Sequence, residues 1–201
     1  MASRLRRFLY LVGLISLLAG LAIPADAGLL STGSASYCDP YSSHVFQRWG
    51  DSSNYMLTPG GSFEDGTPSW KLSGGAKVIS GNDPYFIHSK SDRKSLYMPA
   101  GSSASTPTMC FAAGDWHLRF VGTGSGQLRV TVTVNSLLGL VSILDGGTVS
   151  GNGTWQPSPK VGLLLTNVGG LLTTQAISIR LTATSGASQV DDVYLDPFKD
   201  T

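Results

Sequence analysis

Alternation of apolar and polar residues dominates the second half of the chain. In QLRVTVTVN (127–135) every second residue is apolar, and AISIRLTAT (176–184) repeats the pattern. DWHLRFVG (115–122) is a third segment of this kind. Because successive side chains of a strand point to opposite faces of its sheet, this period of two predicts half-buried β-strands.

Shorter apolar runs, bounded by Gly, Pro, Asn or Ser, supply the remaining candidate strands: KLSGGAKVIS (71–80), KSLYM (94–98), PTMCF (107–111), LVSIL (140–144), KVGLLLTNV (160–168) and QVDDVYLD (189–196). NSLLGLVSILDGG (135–147) fits a short helix or a strand, and Gly139 with the β-branched residues favours the strand. GTGSG (122–126) and SGNGT (150–154) are typical of hairpin turns. Eight to ten short strands with such turns predict an all-β chain, folded as an antiparallel sandwich or barrel.

The first 27 residues have a different pattern. Arginines at 4, 6 and 7 precede the apolar run 8–23, and the small residues ADA end at Ala27. This order is typical of a secretory signal peptide over 1–27, cleaved after Ala27. An uncleaved membrane anchor is the alternative, but the apolar run is shorter than the ~20 residues that a spanning helix needs. We therefore predict a secreted, extracellular protein.

The remaining chain is expected to form a single domain. Residues 28–54 are predicted as an extended lead-in, 55–198 as the β-sandwich domain and 199–201 as a tail. Basic and acidic residues number 14 and 13, for a net charge of +1. A charge balance this close to neutral carries no electrostatic signature of nucleic-acid binding or of an anionic membrane surface. We expect neither partner once the signal is removed, and we expect a monomer.

Two cysteines, Cys38 and Cys110, remain after the signal. An even number of cysteines in an oxidising compartment favours a disulfide, and two buried free thiols are the alternative. A metal pair is disfavoured because no His or further Cys stands at ligand spacing from either residue. A disulfide between Cys38 and Cys110 would close a long loop. The chain-entropy model of such a bridge gives about 4 kcal/mol of stabilisation.

Two stretches carry a resemblance to a known group of proteins. GGSFEDGTPSW (60–70) resembles the first-strand signature of the jelly-roll carbohydrate-binding modules, the galactose-binding-like families. VDDVYLD (190–196) resembles their last strand, and KSLYM (94–98) and GTWQPS (153–158) are similar to segments between them. The resemblance covers most of the chain after the signal. It implies a jelly-roll sandwich that binds glycans without catalysis.

The same two stretches raise the question of a metal. First and last strands of a sandwich often lie together, which would bring Glu64 and Asp65 near Asp191 and Asp192. Neighbouring strand residues point to opposite faces, so one aspartate should face the core or the strand rim, where a bare carboxylate is costly. A structural calcium ion would satisfy it with oxygen ligands. The resemblance implies Glu64 and Asp192 as ligands, with the carbonyl of Gly61; the alternative is backbone N–H groups or basic side chains and no metal.

Glycan binding requires exposed aromatic faces beside convergent polar groups. Trp70 and Trp155 fall in the family motifs, where the ring packs in the core. The loop within NDPYFIHSKSDRKSLY (82–97) is the better candidate and offers Tyr85, Phe86, His88 and Arg93. A surface crossover with one or two buried aromatics is the alternative. A second candidate surface is the polar face of the strands, with Arg119, Arg129, Thr131 and Arg180.

The sequence thus predicts a secreted, non-catalytic, glycan-binding β-sandwich whose partner is a polysaccharide or a cell-surface glycan. The alternative is a secreted structural or protein-interaction domain of the cell envelope that binds no sugar. A small hydrolase is less favoured. The chain has no Gly-x-Ser-x-Gly nucleophile motif, and its histidines are widely spaced: His44, His88 and His117.

Overall fold

The computed structural model describes residues 31–32, 42–67, 69–111, 116–135, 141–163 and 174–196. Two seven-stranded sheets enclose one large apolar core, so the predicted all-β class and antiparallel sandwich are confirmed. The predicted signal peptide 1–27, Cys38 and the tail 199–201 lie outside the described residues. Within the described ranges, no helix is long and apolar enough to cross a membrane.

The first sheet contains seven of the strands: β1 (Ser31–Thr32), β3 (Lys71–Ser73), β6 (Ser103–Ser105), β7 (Met109–Phe111), β9 (Gln127–Asn135), β10 (Val141–Ser150) and β13 (Thr174–Ser185). Its order is β10–β9–β13–β6–β3, and β1 and β7 also pair with β13. All these pairings are antiparallel except the one between β1 and β13.

The second sheet contains the other seven: β2 (Met56–Leu57), β4 (Lys77–Ser80), β5 (Lys94–Met98), β8 (Trp116–Gly124), β11 (Gln156–Pro157), β12 (Val161–Leu163) and β14 (Ser188–Asp196). Its order is β11–β8–β14–β5–β4, with β12 also on β8 and β2 on β14. The described residues thus form fourteen strands rather than eight to ten, because half of these strands contain only two or three residues.

The core follows the predicted alternation on the two central strands of the first sheet. Every inward residue is at most 3% exposed: Leu128, Val130, Val132 and Val134 on β9, and Ile177, Ile179, Leu181 and Ala183 on β13. Leu118 and Phe120 of β8 face them from the second sheet and are equally buried. This packing of β-branched and aromatic side chains supplies the main hydrophobic stabilisation of the sandwich.

Glycine-rich connections carry the chain from one sheet to the other. GTGSG (122–126) joins β8 to β9 and SGNGT (150–154) leads from β10 to β11, so both link strands of different sheets, and the hairpins expected there are absent. A Cβ at Gly124 would lie 2.9 Å from the Cα of Ser188, so only glycine fits this close backbone crossing. KLSGGAKVIS is likewise divided by a Gly-Gly turn into β3 and β4, which lie in opposite sheets.

Residues 42–58, which we name the N-terminal strap, cover the outer face of the second sheet. The strap contains a single 3-10 turn at Gln47–Trp49 and ends in β2. Phe46 and Tyr55 of the strap, with Val121 and Tyr194 beneath them, form a second buried apolar cluster. The described part of the predicted extended lead-in, 42–54, is therefore packed on the sandwich and belongs to it.

The described part of the stretch 60–70, which excludes residue 68, lies beside β14, as the sequence predicts, but it forms turns rather than a first strand. Thr58 N–H donates to Val193 O at 2.9 Å, and Val193 N–H donates to Gly61 O at 3.0 Å. Phe63 adopts a φ of 58° and is fully buried, with its ring centroid 5.2 Å from that of Trp70. The predicted core position of Trp70 is confirmed.

Candidate functional site

The connection between β4 and β5, residues 81–93, is held by the carboxylate of Asp83. Asp83 Oδ1 accepts the N–H groups of Tyr85 at 2.7 Å and Phe86 at 3.0 Å, which closes a tight turn. Asp83 N–H in turn donates to Asp191 Oδ2 at 3.1 Å. The turn forces Phe86 to a φ of 51°, an uncommon value for a bulky residue, and leaves its side chain 41% exposed.

Phe86 borders an open groove of about 440 Å³, which we name the Phe86 groove. Arg93 and Asn82 also line it, and Arg93 Nη1 donates to the carbonyl of Lys90 at 2.9 Å. Asn82 Nδ2 donates to Asp83 O at 3.0 Å, whereas its buried Oδ1 has no hydrogen-bond partner among the described residues. Of the four predicted ligand-binding residues, the structure places Phe86 and Arg93 in this groove.

Tyr85 points away from the groove and packs against the strap. Its ring centroid lies 5.1 Å from that of Trp49 in an edge-on arrangement, and its hydroxyl donates to Trp155 O at 2.7 Å. The guanidinium carbon of Arg48 lies 4.3 Å from the Trp49 ring centroid and 5.0 Å from that of Tyr85. Sequence reasoning missed this cation–aromatic cluster, because nothing in VFQRWG indicates that the strap reaches the 81–93 loop.

His88 faces a different side of the loop, towards Asp192 at the middle of β14. Its backbone N–H donates to Asp192 Oδ2 at 3.0 Å, and its ring Nδ1 lies 2.8 Å from Asp92 Oδ2. His88 is exposed, whereas Asp92 and Asp192 are buried. One ligand atom from each of these three side chains lies within 4.8 Å of the other two.

Four buried carboxylates meet beneath the loop: Asp83, Asp92, Asp191 and Asp192, none more than 3% exposed. Burial raises the pKa of Asp191 to about 9, and the neighbouring carboxylates of Asp192 and Asp83 add to the rise. Burial likewise raises the pKa of Asp192 to about 7, against the hydrogen bond from His88 N–H. Burial is the largest cause of both rises, so these two carboxyl groups favour the neutral form more than an exposed aspartate does.

Asp191 and Asp192 lie at an irregularity of β14. The pairing of β14 with β8 shifts between Asp191 and Tyr194, and Asp192 adopts a φ of 48° at this bulge. The sequence predicts burial at the core or strand rim for one aspartate, and both are buried. A bulge of this kind leaves no signature in the alternation of the sequence.

The other two predicted calcium ligands have protein partners. Glu64 Oε1 accepts the N–H groups of Arg93 and Lys94, both at 2.7 Å. The Gly61 carbonyl accepts Val193 N–H, as described above. Backbone N–H partners are what the alternative without a metal predicts for these oxygens. Calcium bound by Glu64, Asp192 and Gly61 stays a prediction.

The predicted disulfide also stays a prediction. Cys110 lies half-buried on β7. Cys38 lies outside the described residues.

A buried ionic network under the strap was not predicted. Arg119 was expected on an open polar strand face, but it is 8% exposed because the strap covers it. Its Nη1 donates to Asp51 Oδ2 at 2.6 Å, and its Nε donates to Ser158 O at 3.0 Å. Tyr55 Oη and Lys160 Nζ contact the same carboxylate at 2.8 and 2.9 Å. Burial raises the pKa of Asp51, but these hydrogen bonds outweigh burial and hold it well below its usual range.

No protein-family model and no curated protein matches the chain. Several solved structures resemble it. A family 61 carbohydrate-binding module, solved with β-1,4-galactotriose, is 17% identical, and the match covers 72% of this chain and 99% of that one with a TM-score of 0.44. The CBM22-2 xylan-binding domain of Paenibacillus barcinonensis Xyn10C is 11% identical over 69% of this chain and 98% of that one, with a TM-score of 0.45.

A third similar structure belongs to an enzyme. The enzymatically active domain of bacteriophage CBA120 tailspike protein 4 is 14% identical, with a TM-score of 0.48. That match covers 71% of this chain but only 21% of the tailspike chain. All three TM-scores lie below 0.5, and the antiparallel sandwich is assigned from the two seven-stranded sheets themselves.

Proposed function

We propose that this chain is a secreted, monomeric, non-catalytic protein that binds a polysaccharide or cell-surface glycan in the Phe86 groove. The observation that carries the proposal is the exposed Phe86 ring, held by the Asp83 turn beside Arg93 and Asn82. Sugar rings present apolar C–H faces that stack on aromatic side chains, and hydroxyls that pair with guanidinium and amide groups. The groove offers both on one surface.

The conformation of Phe86 supports a binding role. A left-handed φ costs a bulky residue roughly 1–3 kcal/mol, and such strain is common where a side chain must be presented to a ligand. Burial in the core does not explain Phe86, because 41% of the residue remains exposed. The Asp83 carboxylate, fixed by two N–H donors, pre-organises the turn and so reduces the entropy lost on binding.

The non-catalytic part of the proposal rests on burial of the carboxylates. A glycosidase needs two carboxyl groups that face its substrate across the scissile bond. None of the four clustered aspartates is more than 3% exposed, although Asp83 and Asp92 line the Phe86 groove. Asp83 already accepts two N–H groups of the loop, so its role is structural.

Affinity electrophoresis and pull-down assays test the proposal. The purified protein would be offered a β-1,4-galactan, a xylan, a β-1,3-glucan and cellulose. We expect retention on at least one polymer, abolished by Phe86→Ala and weakened by Arg93→Met. Ile143→Ala is the matched control, because Ile143 is the other large exposed hydrophobic residue in the described part of the chain and lies on β10, away from the groove.

Three outcomes would contradict the proposal in whole or in part. Folded protein that binds none of the glycans would favour the structural or protein-interaction alternative. Glycan retention that survives Phe86→Ala would place binding elsewhere on the surface. Release of reducing ends from a bound polymer would refute the non-catalytic part alone.

A further inference from the structure

We infer that His88, Asp92 and Asp192 hold a divalent cation beneath the 81–93 loop, at a site that does not include Glu64. The site would fix the loop that presents the Phe86 groove. The inference rests on the geometry and burial of these three side chains and does not depend on glycan binding.

The three side chains come from two elements that meet only in the folded chain. His88 and Asp92 belong to the 81–93 loop, and Asp192 lies at the bulge of β14. Their ligand atoms lie within 4.8 Å of one another, and His88 Nδ1 and Asp92 Oδ2 are 2.8 Å apart. Ligand atoms around one small cation have comparable spacings, since metal–ligand bonds are about 2.0–2.2 Å long.

A separate observation points to a missing partner at this place. Asp192 is 1% exposed, and its Oδ1 is buried without a hydrogen-bond partner among the described residues. The other oxygen, Oδ2, accepts His88 N–H. An unpaired buried carboxylate oxygen is costly, because water no longer solvates it. A bound cation would supply the missing interaction.

The local charge balance supports the same conclusion. Four carboxylates are buried together here, whereas the one ion pair that the described residues show for them joins Asp92 to His88. Ionisation of more than one of these carboxyl groups would leave negative charge that one imidazolium does not balance. A divalent cation would offset that charge.

Glu64 does not share this environment. Its Oε1 already accepts two backbone N–H groups, from Arg93 and Lys94. Lys94 Nζ also donates to the Glu64 carbonyl, so a positive charge already lies beside this residue. Glu64 is not among the side chains that converge on Asp192. The calcium ligands implied by the family resemblance therefore fit the structure less well than the His88 group.

The ligand types indicate the class of ion. One imidazole nitrogen with two carboxylates is a donor set for zinc or manganese. Calcium prefers six to eight oxygen ligands and makes little use of imidazole. We therefore expect Zn²⁺ or Mn²⁺ to bind more tightly than Ca²⁺.

Titration calorimetry on tag-free protein, first stripped with EDTA and then dialysed, tests the site with Zn²⁺, Mn²⁺ and Ca²⁺ in separate runs. We expect one equivalent of Zn²⁺ or Mn²⁺, and a Tm raised by about 5–10 °C at a hundredfold excess over Kd. His88→Ala and Asp92→Asn should each raise the Kd at least tenfold. Glu64→Gln and the exposed-site control Asp145→Asn should leave it within twofold.

The variants also separate a lost ligand from a lost fold. The His88 side chain is 38% exposed, so His88→Ala should fold normally, and near-UV circular dichroism would verify it. No binding of any of the three ions would overturn the inference. So would Ca²⁺ binding that Glu64→Gln abolishes while His88→Ala leaves it intact. Zn²⁺ or Mn²⁺ binding unaffected by His88→Ala would exclude the assigned ligands.

Discussion

Replacing Asp51 by Asn should destabilise the fold strongly, because this carboxylate neutralises a buried cation. Asp51 Oδ2 accepts from Arg119 at 2.6 Å and from Tyr55 at 2.8 Å, and both Asp51 and Arg119 are buried under the strap. Asparagine preserves the shape and one acceptor but removes the charge. The guanidinium of Arg119 would then remain buried without its counter-ion.

The expected size follows from the two halves of the network. Breaking a buried ion pair by removing one partner typically costs about 3–5 kcal/mol. The contact with Lys160 adds little, since the Lys160 side chain is 37% exposed and exposed pairs contribute roughly 0–1 kcal/mol. Ser158 O keeps two hydrogen bonds to Arg119 and offsets part of the loss. We expect a loss of about 3 kcal/mol, equivalent to a Tm lowered by about 6–12 °C.

Urea denaturation followed by circular dichroism at neutral pH measures this loss, with the m-value compared between variants. Asp145→Asn is the matched control, because Asp145 forms a similar pair with Arg129 at 2.9 Å but with both side chains more than half exposed. The control should change the free energy of unfolding by less than about 1 kcal/mol. Equal effects of the two substitutions, or a loss below about 1 kcal/mol for Asp51→Asn, would refute the reasoning from burial.

Three further predictions concern the pH dependence of Asp51 and substitutions of Gly61 and Phe86. The folded protein holds the pKa of Asp51 below its ordinary value of 3.8. The ionised carboxylate therefore stabilises the fold above about pH 4, and this stabilisation is lost as the pH falls towards the lowered pKa. In urea titrations below about pH 4, the difference in free energy of unfolding between wild type and Asp51→Asn should become smaller. Gly61→Ala should cost about 1–3 kcal/mol in the same assay, because the new Cβ would lie 2.7 Å from Val193 O; an unchanged midpoint would show that the 60–70 turns move aside. Phe86→Gly should leave the free energy of unfolding unchanged or raise it by up to about 1 kcal/mol, because glycine adopts the left-handed φ without strain. The same substitution should abolish glycan retention. A clear loss of stability would mean that the Phe86 ring contributes to packing.

The sandwich was predictable because its central strands alternate so regularly. Inward positions such as Val130 and Ile179 are recognisable from two-residue periodicity alone, and both are buried. The family resemblance correctly placed the 60–70 stretch beside β14. Periodicity cannot report which sheet a strand joins, and so the glycine-rich connections were expected to be hairpins.

The candidate site was predictable only in part. The polar loop with an exposed aromatic residue is visible in the sequence, but the direction of each ring depends on contacts between distant segments. Tyr85 turns toward Trp49 of the strap, whereas Phe86 is turned outward by the Asp83 carboxylate. The carboxylate cluster depends on the bulge at Asp192, a local change of register that has no counterpart in hydrophobic patterning.

The strap also has a consequence for the order in which the molecule can assemble. Phe46 and Tyr55 are synthesised early, but their buried cluster includes Tyr194 of the last strand, and β2 pairs with that same strand. Contacts between the two ends of a chain close the largest loops and form slowly. The strap therefore cannot pack until β14 has been synthesised. Until then, the aromatic rings of Phe46 and Tyr55 remain exposed to solvent. A chain shortened before β14 would lose the central partner of β8 and β5 along with the anchor of the strap. We expect such a product to be a substrate for proteases and chaperones rather than a smaller sandwich.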